Sequence, residues 1–351
     1  MSLGKNTGRT GEWLKGNGPD GDIVLSSRVR LARNVAGHPF FHWADDIQRK
    51  SVRNLCHKKI TDISLFNGST FVDLSDLGIV DLKFLIERHL MGPEHAKEAE
   101  SKGLCVDQRE ILSILVNEED HLRVQVMQSG FNLQEAWRIA SKADEELKKN
   151  LEFAFSPRWG YLTACPTNVG TGLRASVMLH LPALSMSGQI QRALEAITKL
   201  GLAVRGLHGE GTKASGNFYQ ISNQVTLGRS EEDLIDNLEK IISKFIDKET
   251  NMRQHIYQTN RDQFVDRIWR SMGLLQSARI ITSDETIRLL SAIRLGVDME
   301  IIPGLSRQLI NELFISTQPG HLQKMEGKIL SAGERDIKRA ELIRRKLNVN
   351  P

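Results

Sequence analysis

The chain has 351 residues, 40% hydrophobic and 26% charged, which excludes a disordered or low-complexity polymer and predicts a soluble globular protein with one large domain and a smaller one. Its 47 basic and 43 acidic residues leave a net charge of +4, too mild for direct binding of a nucleic-acid polymer and better matched to a local anion site. Cys56, Cys105 and Cys165 lack metal-type spacing and read as thiols of a reducing cytoplasm, no apolar run is long enough to span a membrane, and no signal peptide is expected before the first strand.

In chain order, residues 1–22 are rich in Gly and Asn, with Trp13 and Leu14 docking as a short helix. Residues 23–33 predict a strand, Asp45 to Ile63 a helix with a basic face, Thr70 to Leu74 a strand and Asp81 to Met91 a helix. Glu110 to Asn117 and His121 to Gln128 predict a hairpin turning on Glu118–Asp120. Asn132 to Asn150 is amphipathic, with Asn132 as N-cap. Strands follow near 151–156, 161–165 and 172–181, then a helix from Ser187 to Leu200 and strands at 202–207 and 217–227. Ser230 opens a long helix with Glu231, Glu232 and Asp233 in its first turn, where the dipole favours acids, and the pattern continues towards Arg270. From about residue 250 to Pro351 everything reads as helix, with Thr282 and Glu285 as a capping box, Pro303-Gly304 and Pro319-Gly320 as turns, and a last helix from Gly333 to Leu347.

Four of the predicted strands share a pattern. Leu25, Val29 and Leu31 alternate with Ser26, Arg28 and Arg30; Leu122, Val124 and Val126 alternate with His121, Arg123 and Gln125. Leu173 to Leu181 carries Arg174, Ser176, Met178 and His180 on its polar side, directly after a Gly-rich turn, and Arg205 lies in the apolar run that begins at Leu202. A solvated sheet face would carry such charges too. Lysine would serve there equally well, yet these segments contain none, so the planar fork of arginine points to bidentate recognition of phosphate or carboxylate.

The segments SSRVRLARN, VNEEDHLRV, CPTNVGTGLRAS, RGLHGE and GNFYQISNQ, spread over about Ser26 to Gly228, resemble in order and spacing the ATP:guanidino phosphotransferase (phosphagen kinase) superfamily. The resemblance is strongest to its bacterial protein-arginine kinase branch. It implies an α+β fold: a glutamine-synthetase-like catalytic domain on a largely antiparallel sheet over residues 1–255, and an all-α C-terminal domain over 256–351. It further implies ATP as donor. The nucleotide contacts fall on Ser26, Ser27, Arg28, Val29 and Arg30, on His89 and Arg123, on Arg174, Ala175, Ser176, Val177 and Met178, and on Arg205, Gly206, Leu207, His208, Gly209 and Glu210. Mg2+ would ride on the phosphates rather than in a carboxylate cage. Glu119 and Glu210 match the carboxylates that contact the guanidino acceptor, and Cys165 matches a modulatory cysteine beside it. Standing alone, the Asn-Glu-Glu-Asp tetrapeptide reads as a polar turn, and Glu118 and Asp120 are expected to be no more than that. Tyr219-Gln220 departs from the Tyr-Asp of the small-molecule kinases and removes a charge near the nucleotide side.

Relatives acting on small guanidino compounds carry a helical domain before the first arginine strand. Here about 25 residues precede Ser26, too few for a domain, which favours arginine within a protein as acceptor. Arg335-Asp336-Ile337-Lys338-Arg339-Ala340 is the second pointer. An ordinary solvated helix accounts for such charges, but the segment matches the RDxxRA phosphoarginine-binding pattern of the protein-arginine kinases. The resemblance then implies marking of proteins for an AAA+ unfoldase–protease, a heat-shock transcription repressor among the targets, a zinc-finger-type activator protein and a homodimer through the helical domain. The alternatives are a kinase of free arginine or another small guanidino compound, and an inactive phosphoarginine-binding adaptor.

Overall fold

The computed structural model describes residues 10–206 and 215–348. Period-two alternation builds strands β1 (Val24–Arg33), β2 (Thr70–Asp73), β3 (Gly103–Val106), β4 (Leu112–Val116), β5 (Leu122–Ser129), the short hairpin β6 (Phe155–Ser156) and β7 (Gly160–Tyr161), then β8 (Leu173–His180), β9 (Leu202–Gly206) and β10 (Phe218–Asn223). Eight of them form one sheet in the order β2-β3-β4-β5-β1-β8-β10-β9, and every neighbouring pair is antiparallel. The helices are α1 (Asp46–Asp62), α2 (Ile79–Glu87), α3 (Pro93–Ala96), α4 (Leu133–Asn150), α5 (Pro182–Met186), α6 (Ile190–Lys199), α7 (Glu231–Thr259), α8 (Arg261–Ser277), α9 (Ser283–Asp298), α10 (Arg307–Ser316), α11 (Pro319–Glu326) and α12 (Ala332–Leu347).

One face of the sheet is mainly apolar. Val29, Leu31, Val124, Val126, Ala175, Val177 and Ile221 are fully buried there beneath α1, α4 and α7. Each such side chain contributes about 1.5–3 kcal/mol of burial, enough to lock the register, since a one-residue slip would turn the row to the opposite face. Arg33 sits within this layer and is structural: it pairs with Asp144 of α4 at 2.8 Å, donates to Ala32 O and Thr171 O, and stacks on Tyr161. Among the described residues the other face is covered only at its ends. Leu104, Val106 and Leu115 pack on α2, while Leu25, Met127, Met178 and Phe218 share a core with Trp13, Leu14 and helices α8, α9, α10 and α12. Between these two patches the face stays polar.

Several elements differ from the sequence reading for local reasons. A register shift between Val24 and Ser26 turns Leu25 away from Val29 and Leu31 and into the second core. The helix expected from Asp81 to Met91 is α2, which ends at Glu87, because His89 adopts a left-handed φ of 57°. The helix expected from Ser187 to Leu200 is α6, which starts only at Ile190; Gly188, with φ 72°, separates it from α5, a short helix outside the expected range. Asn260, at φ −139° and ψ 44°, breaks the long helix into α7 and α8. Pro319-Gly320 opens α11 instead of making a turn, with Pro at the first helical position, where its missing N–H costs nothing. Thr282 accepts from Glu285 N–H as expected, and complete capping boxes form at Asp45/Gln48 and Ser331/Glu334. Asn132 occupies its N-cap position without a side-chain cap bond. Residue 255 lies inside α7.

Candidate active site

Register brings the arginines together. Arg30 of β1 lies opposite Arg174 of β8 and Gln125 of β5; Ala32 lies opposite Arg123 of β5, and Arg28 opposite Ser176. Gln220 of β10 lies opposite both Met178 of β8 and Arg205 of β9. Arg28, Arg30, Arg123, Arg174 and Arg205 therefore stand on one face across strands β5, β1, β8 and β9. Arg28 donates to Ser176 Oγ at 3.3 Å and Arg174 to Ser222 Oγ at 3.3 Å, so two of the forks are held by hydroxyls of neighbouring strands. Burial, together with the charges of Arg174, Arg123 and Arg205, pushes the Arg28 guanidinium down to about 10. Burial and the neighbouring Arg28, Arg123 and Arg174 lower Arg30 as well, and among the described residues Arg30 Nε is buried without a hydrogen-bond partner. A crowd of partly buried cations is unfavourable by itself and favourable around a polyanion.

The carboxylates come from the tip of the β4–β5 hairpin. Asn117 turns with φ 61°, which brings Glu118 and Glu119 both onto Arg123: Glu119 Oε2 lies 3.3 Å from Nη2, and Glu118 forms a close ion pair with Nη1. Glu118 is thus more than a polar turn. Asp120 is not one either: it is 1% exposed and accepts from Asn34 Nδ2 and from Ala164 N–H, each at 2.7 Å. Through Asp120 the hairpin tip is fastened to the Cys165 loop, where Cys165 Sγ lies 3.0 Å from Thr167 Oγ1 and Asn168 Nδ2 lies 3.5 Å from Glu119 Oε2. Arg30, Arg123, Arg174, Arg205, Glu118, Glu119 and Cys165 line one open cleft of about 650 Å³, with Phe41, His42, Glu94 and Lys97 towards its mouth.

A narrow recess lies beside it, lined by Trp13, Ser26, Arg28, His89, Ser176, Met178 and Gln220. His89 is not a helical residue. It stands edge-on to Trp13, with ring centroids 5.2 Å apart, and its carbonyl accepts from Gln125 Nε2 at 2.9 Å. Gln220 Nε2 donates to Ser176 Oγ, which also receives Arg28. The side chains of Ser27, Val29, Ala175 and Val177 lie on the helix-covered face, and Ser27 Oγ donates to Gly130 O. Gly206 ends β9; Leu207, His208, Gly209 and Glu210 lie outside the described residues.

The RDxxRA segment sits on α12, remote in sequence from the cleft. Arg339 is 1% exposed, donates to Thr317 O and Ile281 O at 2.8 Å each, and pairs with Asp336. Arg335 is half-buried and donates to Leu330 O, Ile337 is exposed, Lys338 pairs with Glu326 and Glu341, and Ala340 is buried.

A crowded cation face, a carboxylate pair at the edge of the same cleft and an antiparallel sheet behind them fit a phosphotransferase of the guanidino type. Residues 51–252 match the ATP:guanido phosphotransferase C-terminal catalytic domain family, more than half of the chain, and the chain belongs to that family. Residues 261–351 match the protein-arginine kinase McsB C-terminal domain. The chain is 47% identical over 340 residues to a protein-arginine kinase of Halothermothrix orenii, covering 96% of both chains, and 46% identical over 347 residues to one of Moorella thermoacetica, covering 98% and 99%. Within the family it therefore belongs to the protein-arginine kinases. Among solved structures it is similar to a lombricine kinase, with TM-score 0.60 and 29% identity over 69% of this chain and 70% of that one. It is also similar to a duplicated taurocyamine kinase from Schistosoma mansoni, with TM-score 0.60 and 28% identity over 74% of this chain and 36% of that one. As a member of this ATP-using family the chain is an ATP-dependent guanidino kinase.

Proposed function

We infer that this chain transfers the γ-phosphoryl group of ATP to arginine side chains of proteins. The observation that carries the reading is the convergence of Arg30, Arg123, Arg174 and Arg205 from four strands on a cleft edged by Glu118 and Glu119, with Arg28 in the recess beside it. Phosphoryl transfer requires positioning and charge neutralisation more than covalent work by the protein. Arg28, Arg30, Arg123, Arg174 and Arg205 supply that charge in a site that already excludes much water. The base is assigned to the recess at Trp13 and His89, which holds only about 10 Å³ in this structure and widens to admit it. A guanidinium is a poor nucleophile because it holds its protons, so Glu119, with Glu210, orients the acceptor and takes a proton as the N–P bond forms. On this reading Mg2+ is carried by the phosphates of the nucleotide.

Arginine within a protein is supported by the open cleft and by the match of residues 261–351. On this reading Arg335–Ala340 is a second, non-catalytic phosphoarginine site. The substrates, a heat-shock transcription repressor among them, are passed to an AAA+ unfoldase–protease in a cytoplasmic stress response. A zinc-finger-type protein activates the kinase, and α8–α12 form the interface of a homodimer. Among the described residues no helix is long and apolar enough to cross a membrane.

The experiment offers labelled ATP with free arginine and with an unfolded arginine-rich protein, side by side. Acid-labile label on the protein is expected. Label on free arginine alone would make this a small-guanidino kinase, and phosphoarginine binding without any turnover would make it an adaptor.

A further inference from the structure

Besides the apolar core they share with Trp13 and Met178, the C-terminal helices meet the turn behind the recess through one carboxylate. Glu87, the last residue of α2, caps the start of α11. Its Oε1 accepts Gly320 N–H at 2.6 Å, and its Oε2 accepts His321 N–H at 2.8 Å and faces His321 Nδ1 at 2.7 Å. The fit is close on every side. A Cβ on Gly320 would lie 2.8 Å from Glu87 Oε2 and 2.9 Å from Phe84 N, the Phe84 and His321 rings are 4.4 Å apart, and Lys324 pairs with Asp81 one turn along. From the far side Arg339 holds Thr317 O, two residues before Pro319.

The two residues after Glu87 carry the contact on to the recess. Arg88 is 4% exposed and forks onto Glu110 at 2.6–3.0 Å. His89 then adopts its left-handed φ of 57°, a conformation a non-glycine residue keeps only where its surroundings impose it. Its ring is the wall of the recess that meets Trp13. The strained residue is thus held by Gln125 on the sheet side and by the Glu87 and Arg88 anchors behind it. Small shifts in such a packed turn relocate a ring rather than dissipate.

We propose that Glu87 is a positioning residue for the nucleotide: by clasping the N-terminus of α11 it fixes the Arg88–His89 turn, so that the C-terminal helices set how well the recess holds the base. The proposal rests on the reading of the recess as the base site and adds to it a remote determinant of ATP affinity. Glu87 itself does not line the recess. A tertiary staple with no such role would change stability alone; a positioning role changes ATP affinity in the folded protein.

The test uses the full chain and titrates ATP calorimetrically, with kcat measured at saturating ATP. Glu87→Ala is expected to raise the Kd for ATP about tenfold, as part of a charged hydrogen-bond cluster is transmitted, while kcat stays within about twofold. Gly320→Ala, which presses on the same clasp from the α11 side, is expected to do the same, and Glu87→Gln, which keeps an acceptor for Gly320, to recover most of the affinity. Glu87→Ala added to His89→Ala is expected to cost nothing further, because the two act through one ring. An unchanged Kd in folded Glu87→Ala or in folded Gly320→Ala, or additivity of Glu87→Ala with His89→Ala, overturns the proposal. If Glu87→Ala does not fold, the Kd of Gly320→Ala decides the matter. Failure of the wild-type chain to bind ATP overturns the functional reading first, and this one with it.

Discussion

Replacing Arg339 by alanine separates two roles that the RDxxRA segment combines. The Arg339 guanidinium, 1% exposed, spends Nε on Thr317 O and Nη1 on Ile281 O, both at 2.8 Å, and pairs with Asp336 one turn back. Those carbonyls lie at the end of α10 and just before α9, so one side chain ties three helices together. A hydrogen bond from a charged donor contributes about 1.5–3 kcal/mol, and its loss leaves the partner's desolvation uncompensated. Two such bonds and an ion pair are not additive, and water entering the vacated space restores some of them, so the net loss should be about 3–4 kcal/mol. Arg335 is half-buried and donates to Leu330 O, so its removal should cost about 1 kcal/mol. Denaturant unfolding with amide hydrogen exchange across α9–α12 reads both values. Arg335→Ala is expected to lose phosphoarginine binding with its helices intact, whereas Arg339→Ala loses exchange protection in α9, α10 and α12 together. Wild-type protection in Arg339→Ala would refute the assignment of that side chain as a structural pin.

Glu119→Gln should lower kcat by about 10²–10⁴, as loss of a proton acceptor predicts, while the Kd for ATP does not rise, because an ion pair that competes for Arg123 is removed; a wild-type kcat would remove Glu119 from the chemistry. Arg30→Met should weaken ATP binding at least about tenfold yet raise the unfolding midpoint of the nucleotide-free protein, because Arg30 is buried among Arg28, Arg123 and Arg174; a lowered midpoint would contradict the crowding argument. Burial pushes His95 and His121 down to about 4. His121 accepts Val35 N–H on Nδ1 at 3.1 Å and faces Pro39 O with Nε2, so its folded form is neutral and a second proton would meet Val35 N–H head-on. The folded state then binds fewer protons than the unfolded state between about pH 6.5 and 4, and stability falls as pH falls through that window and levels off below it. Urea midpoints at pH 7, 5.5 and 4.5 measure this, and a flat profile would show that both rings protonate in the folded state.

The arginine face is legible in the sequence because a strand has a period of two and nothing on β5, β1 or β8 interrupts it between Arg28 and Met178. The one place where alternation fails, Leu25, is where a register shift adds a residue, and a bulge has no composition signature here. Asp120 and Glu118 escape a sequence reading for a different reason. The partners of Asp120 are Asn34 and Ala164, 86 and 44 positions away, so no local pattern separates a buried hub from a polar turn. His89 falls within the helix expected from Asp81 to Met91, and its place in the recess comes instead from tertiary contacts with Trp13 and Gln125. Pro319-Gly320 shows the same limit from the other direction. The pair reads as a turn, but Gly is required there because Glu87 and Phe84 leave no room for a Cβ.

The cations could not hold this geometry through their own interactions, since each repels the others, and the sheet behind them supplies what they lack. Seven residues of the apolar row, from Val29 to Ile221, are fully buried, and the Arg33–Asp144 pair pins β1 to α4 immediately beneath the site. The folding energy of that layer is therefore what keeps Arg28, Arg30 and Arg174 in register before any ligand arrives, and a polyanion recovers the electrostatic cost when it binds. Ligand binding must then stabilise the fold in proportion to affinity, by RT ln(1 + [L]/Kd), with the gain concentrated on β1, β5 and β8 where the repulsion resides. The hairpin tip belongs to the same unit: Glu118 and Glu119 offset part of the charge of Arg123, so the acceptor-binding edge and the phosphate-binding face share a residue. A phosphate drawn onto Arg123 competes with those two ion pairs, which frees the carboxylates for the incoming guanidinium when the donor is in place.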